Sequence, residues 1–130
     1  MLTLQVHDHS QEPIFIDIPS PEVGADQILI RVAACALNFA DLLMISGTYQ
    51  ETPTLPFTLG MEVAGDVVAV GSKVTNFKVG DRAAAFAGSG GLAELCAVDT
   101  SRCLKILNNL SFETAASALI SYGTSHLALT

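Results

Sequence analysis

An asparagine and an aspartate three residues apart, Asn38 and Asp41, stand where an apolar, β-rich run gives way to a segment of Ala, Leu and Met. The amide N–H of an asparagine donates to a carbonyl oxygen, and a carboxylate accepts from donors around it, so the pair has the chemistry to hold a polar group at a helix start. Both residues also have a structural use, Asn38 as the cap of the helix and Asp41 as a negative charge at the positive end of its dipole. Tyr49 offers a phenolic O–H, or simply an aromatic body packed on apolar surface. Thr124 offers a hydroxyl, or the cap of the helix that follows it. His7, His9 and His126 are scattered without a ligand or nucleophile partner and read as surface or core histidines. Cys35, Cys96 and Cys103 lie in strand-like apolar settings, where buried thiols are inert, and they form no CxxC.

Alternating and β-branched runs dominate the elements that must position these groups. Leu2 to Ile18 reads as a β-hairpin turning at Gln11-Glu12-Pro13, and Gln27 to Leu37 as a central strand buried on both faces. Phe39 to Ser46 reads as a short helix stopped by Gly47, and Glu51 to Leu59, with two prolines and three threonines, as a loop. Met61 to Gly71 resumes as a strand, Val79-Gly80-Asp81-Arg82 turns into another, and the tract Gly88-Ser89-Gly90-Gly91 separates that from Leu92 to Val98. From Ser111 the composition shifts to a capped, alanine-rich helix, with a second helical start at Ser125. The expected class is mainly β with short helices, an α+β arrangement with a closed or sandwich-like sheet. The last residues leave Leu127 and Leu129 on an uncovered apolar face, so the sequence reads as part of a longer polypeptide.

The chain has 130 residues, of which 50% are hydrophobic and 15% charged, enough for one domain with its own core. A formal net charge of -7 has the wrong sign for gripping a phosphate backbone or an anionic membrane surface. Neither a signal sequence nor an apolar run of membrane-spanning length occurs, and the free thiols suit a reducing compartment. A cytoplasmic protein is expected.

Five motifs in order carry a resemblance. They are Ala36-Leu37-Asn38-Phe39-Ala40-Asp41, Leu59-Gly60-Met61-Glu62-Val63-Ala64-Gly65 running on to Val70-Gly71, Val79-Gly80-Asp81-Arg82, Gly90-Gly91-Leu92-Ala93-Glu94, and Ala115-Ala116 through Thr124. Together they resemble the medium-chain dehydrogenase/reductase superfamily, whose catalytic domain is a GroES-like β-barrel. The resemblance implies a partly open barrel over residues 1–123, with 124–130 starting a helix into a Rossmann domain that the sequence does not contain. Zinc alcohol dehydrogenases of this superfamily bind a catalytic metal through Cys, His and Cys; the matching positions here hold Asn38, Met61 and Ile120, none of which supplies a thiolate or imidazole. Asn-x-x-Asp is similar to the zinc-free quinone oxidoreductases, the ζ-crystallin-like subfamily.

That resemblance implies NADPH as coenzyme, no zinc, a small-molecule quinone or related conjugated carbonyl as acceptor, and a homodimer or homotetramer. It places Asn38 beside the nicotinamide and the acceptor, Asp41 as an orienting carboxylate, Tyr49 in the cleft wall and Thr124 against the nicotinamide at the hinge. Asn38, Asp41 and Tyr49 are thus the expected catalytic residues, and Asn38 and Thr124 the expected coenzyme contacts. Glu62 is expected to persist as a structural carboxylate bonded to backbone, and Met61 as packing. Ile45 departs from the arginine that many quinone oxidoreductases carry at this place. The Gly88 tract lacks GxGxxG spacing and a following helix, so it is not a dinucleotide fingerprint. An enoyl or 2-alkenal reductase of the same superfamily, and a non-catalytic GroES-like scaffold of crystallin type, are the alternatives.

Overall fold

A computed structural model describes residues 1–37, 39–50, 52–106 and 108–116. The expected hairpin forms from β1 (Leu2–Val6) and β2 (Ile14–Asp17), paired antiparallel from Leu2 opposite Asp17 to Gln5 opposite Ile14. A two-residue strand, β4 (Phe57–Thr58), adds to the other side of β1. This corrects the reading of Glu51 to Leu59 as loop throughout: Thr58 and Phe57 pair with Gln5 and Val6 despite the prolines before them.

The second sheet runs in the order β7-β3-β5-β6-β8, built from β3 (Gln27–Ala36), β5 (Glu62–Val70), β6 (Arg82–Phe86), β7 (Leu95–Asp99) and β8 (Cys103–Lys105). Every pairing is antiparallel, and β3 and β5 share the longest ladder, interrupted by irregularities at Leu29/Ile30 and Val32/Ala34. Such bulges bend a strand and increase its twist, and they curl this sheet into the half-barrel expected of a GroES-like domain. β3 is interior to the sheet but is not buried on both faces: Ile28 and Ile30 are fully buried while Arg31 and Ala33 are exposed. Its outward face is covered along part of its length only.

The alternation of β3 and β5 divides the core. One face carries Ile28, Ile30, Val63 and Val67, closed by Phe77, Val98 and Cys103. The other carries Ala34, Ala36, Ala64 and Ala84, and onto them packs a helical turn over residues 112–116 through Ala115 and Ala116, with Ile106 and Phe112 beside it. Its start is capped as its sequence requires, with the Ser111 hydroxyl accepting from the Thr114 N–H at 3.1 Å. A third cluster, Val6, Met44, Phe57, Leu59 and Met61, joins the two sheets under helix α1 (Phe39–Ser46). Gly47 ends α1 with φ 76°, the left-handed conformation that favours glycine at a helix stop. The expected boundary near residue 123, Thr124 and the second helical start lie outside the described residues.

Candidate active site

Helix α1 begins one residue after Asn38, and its first turn delivers Asp41 into the interior, where it is 3% exposed. The Asp41 carboxylate accepts a hydrogen bond from the Gly60 N–H at 3.2 Å. Gly60 has φ 103°, and a Cβ there would lie 2.5 Å from the Leu92 nitrogen and 2.8 Å from the Cys35 sulfur, so only glycine brings this N–H so close beneath the helix. The glycine-rich loop clasps the same segment from the other side: Gly90, Gly91 and Leu92 donate to the carbonyls of Thr58, Gly60 and Leu59. Asp41 is therefore both the first-turn carboxylate expected from sequence and the bond that ties α1 to the lead-in of β5.

Beside Asp41 opens a cavity of about 300 Å³, walled by Leu4, Leu37, Leu42, Leu59 and Leu92. Among the described residues, Asp41 is the one charged side chain in that wall. Leu37 and Leu42 remain largely exposed at its rim, so the site presents an apolar recess with a carboxylate at its edge. That combination suits a mostly apolar small molecule with a few polar atoms to orient.

Two residues along from Gly60, Glu62 opens β5 between Ala36 of β3 and Phe86 of β6. It is 1% exposed, and among the described residues neither carboxylate oxygen has a hydrogen-bond partner. This corrects the expectation of a carboxylate bonded to backbone: the neighbouring backbone donors are spent elsewhere, the Ala87 and Gly88 N–H groups on the Met61 carbonyl and the Gly60 N–H on Asp41. Burial, then the nearby negative charge of Asp41, pushes the Glu62 carboxyl up to about 7.

Met61 does what packing predicts, lying in the apolar cluster with Val6, Met44, Phe57 and Leu59. Its thioether, closed among hydrocarbon side chains, does not fit the place of an imidazole zinc ligand. Asn38 and Ile120, the other two positions matched to zinc ligands, lie outside the described residues, as does Thr124. Tyr49 is half-buried on the Val6–Met61 cluster and lines a separate recess with Leu43, Thr48 and Gln50, so it is not brought to the wall that holds Asp41. Ile45 lines the Asp41 cavity as one more apolar group. Burial pushes the thiols up to about 12 for Cys35, about 11 for Cys96 and about 12 for Cys103, which leaves them protonated and unreactive at neutral pH. His7 meets the Gln5 amide oxygen and His9 the Ile45 carbonyl, both structural contacts. His126 lies outside the described residues. Glu62 as an unpaired acid was not anticipated; a carboxylate at the head of an apolar strand, in Gly-Met-Glu-Val-Ala, was the signal available.

Residues 24–108 match the model of the alcohol dehydrogenase GroES-like domain. The chain belongs to that family. Within it, this GroES-like domain is 46% identical over 108 residues to a quinone oxidoreductase-like protein 2 homolog of Nematostella vectensis, covering 82% of the chain and 30% of the relative. It is 41% identical over 109 residues to the human synaptic vesicle membrane protein VAT-1 homolog, covering 84% of the chain and 28% of the relative. Among solved structures, the quinone oxidoreductase of Thermus thermophilus, also described in complex with NADPH, superposes with a TM-score of 0.86 at 36% identity, over 99% of this chain and 40% of that one. The domain thus spans well under half the length of these relatives. The structural neighbours include quinone oxidoreductases of the medium-chain dehydrogenase/reductase superfamily, as the five motifs implied.

Proposed function

We propose that the whole protein containing this domain reduces a quinone or related conjugated carbonyl with NADPH, and does so without zinc. The observation that carries the reading is the wall beside α1, an apolar recess edged by a single buried carboxylate, in a domain whose metal-ligand positions hold Asn38, Met61 and Ile120. When bound, the reduced nicotinamide supplies the hydride. This chain's own part is positioning: Leu37, Leu42 and Leu92 exclude water from the acceptor, Asp41 fixes α1 against Gly60, and the Asn38 amide donates to an acceptor oxygen. A conjugated carbonyl suits such a site, because its reduced form spreads negative charge over the conjugated system and asks less of a Lewis acid than an alkoxide does.

The test is NADPH oxidation by the natural, full-length protein with a simple quinone, a chelator present throughout. Turnover unaffected by the chelator is expected. Loss of turnover on chelation overturns the zinc-free reading, and faster reduction of enals than of quinones replaces it with an alkenal reductase. Absence of NADPH binding leaves a scaffold.

Replacement of Asn38 reads the same site from the other side. Asn38→Ala should cost about 1–3 kcal/mol of transition-state stabilisation, roughly a fivefold to 150-fold fall in kcat/KM. An unchanged kcat/KM removes Asn38 from the reaction.

A further inference from the structure

Among the described residues, Glu62 is the buried carboxyl group that the mechanism above does not use. Its surroundings are unusual for a carboxylate. From β3 it faces Ala36, with the neutral Cys35 thiol on the opposite side of that strand; from β6 it faces Phe86, with Ala84 beyond; from α1 the Asp41 carboxylate bears on it. The turn over residues 112–116 brings Ala115 and Ala116 to the alanine face next along β5. The cations of the neighbouring strands are engaged at the far end of the ladder, Arg31 with Asp66 at 3.5 Å and Arg82 on the Leu110 carbonyl at 2.7 Å. Arg102 lies over the Phe86 ring, 5.8 Å from its centroid, and Glu62 itself has no hydrogen-bond partner among the described residues.

Glu62 does not ionise readily, because its buried charge would lack compensation and the Asp41 carboxylate repels it. Asp41 accepts the Gly60 N–H, a bond that favours the charged form of a carboxyl. Glu62 accepts nothing, so the proton resides there. We propose that Glu62 is a positioning residue that works as a neutral carboxylic acid, holding the start of β5 against the first turn of α1 while Asp41 alone carries charge. Deprotonation of Glu62 sets two negative charges across the α1–β5 junction, and the strain falls on the Asp41–Gly60 bond that seats the helix following Asn38. The working geometry belongs to the protonated form and is lost as the pH rises past neutral.

The proposal rests on the reductase reading for its kinetic test, and a spectroscopic measurement separates the two. In the full-length protein, kcat/KM should fall on the alkaline side of pH 7. Glu62→Gln, which keeps size and neutrality, should retain kcat/KM within about twofold at pH 6 and lose that alkaline limb. Asp41→Asn removes the charge that helps hold the proton on Glu62, so its limb should move to lower pH whatever its basal rate. An alkaline limb retained in Glu62→Gln, or one unmoved in Asp41→Asn, overturns the proposal. Infrared spectra should show the carbonyl stretch of a protonated, buried carboxyl at pH 6, gone at pH 9 and missing from Glu62→Gln. If no acceptor is turned over, the reductase reading fails while this band still decides the state of Glu62, and its absence from the unmodified protein at pH 6 refutes the neutral acid.

Discussion

Gly65→Ala should destabilise the fold by about 3 kcal/mol or more, the upper end of what overpacking costs, and lower Tm by roughly 10 °C. Gly65 lies mid-strand in β5, opposite Val32 on one side and Ala83 on the other. A Cβ there would sit 2.0 Å from the Arg31 carbonyl oxygen and 2.9 Å from its carbon. Backbone cannot step aside as a flexible side chain can, and the oxygen belongs to the interior strand of the longest ladder, beside the Val32/Ala34 irregularity. Relief requires β3 and β5 to separate at the bend that curls the sheet. Gly80→Ala is the comparison: Gly80 has φ 97° but nothing within 4 Å of a Cβ, so its cost is backbone strain alone, about 1 kcal/mol. Thermal unfolding of the two variants should differ several-fold in effect, and a Gly65→Ala protein that melts with the parent would refute the close approach of β3 and β5.

Acidification should stabilise the protein through Glu62. Its carboxyl is raised from an ordinary value of 4.5 to about 7 in the folded state. Between those values the folded protein keeps a proton that the unfolded chain has lost, so folding binds protons and stability falls as pH rises. The contribution is fully present below 4.5 and is lost as pH passes through about 7, which at 1.36 kcal/mol per pH unit amounts to roughly 3 kcal/mol. Asp8, Asp81 and Asp99 shift the opposite way, held down chiefly by hydrogen bonds from Ser10, Lys78 and Ser101, and their effect lies at and below their ordinary value of 3.8. Denaturant unfolding of the parent and of Glu62→Gln at a series of pH values isolates Glu62. The advantage of Glu62→Gln should grow by about 3 kcal/mol from pH 4.5 to 7 and then level. A constant difference across that window would place a charged, compensated carboxylate at residue 62.

The elements were legible where local chemistry decides them. Helix α1 and its Gly47 stop follow from Ala, Leu and Met with an acidic first turn, and the Ser111 cap follows from a hydroxyl placed three residues before Thr114. The hairpin and the turn glycines likewise need no distant partner. β4 was not legible, because two residues after a proline carry no periodicity; β1 makes them a strand by offering Gln5 and Val6 as partners. The partial exposure of β3 was not legible either, since an apolar run reads the same whether one face or two are covered.

The candidate site divides along the same line. Order and spacing of Asn38, Asp41, Gly60, Met61 and Glu62 determined the family and marked the zinc-ligand positions as filled by other side chains, because ligand identity is a property of residue type. Which of these residues meet was decided by tertiary structure. The bend of β3 on β5 brings Glu62 opposite Ala36, α1 lowers Asp41 onto Gly60, and Tyr49 is carried round the helix to another recess. A carboxylate's hydrogen bonds and its protonation depend on which backbone groups remain free around it and how much water reaches it, and neither is written in the spacing of residues along the chain.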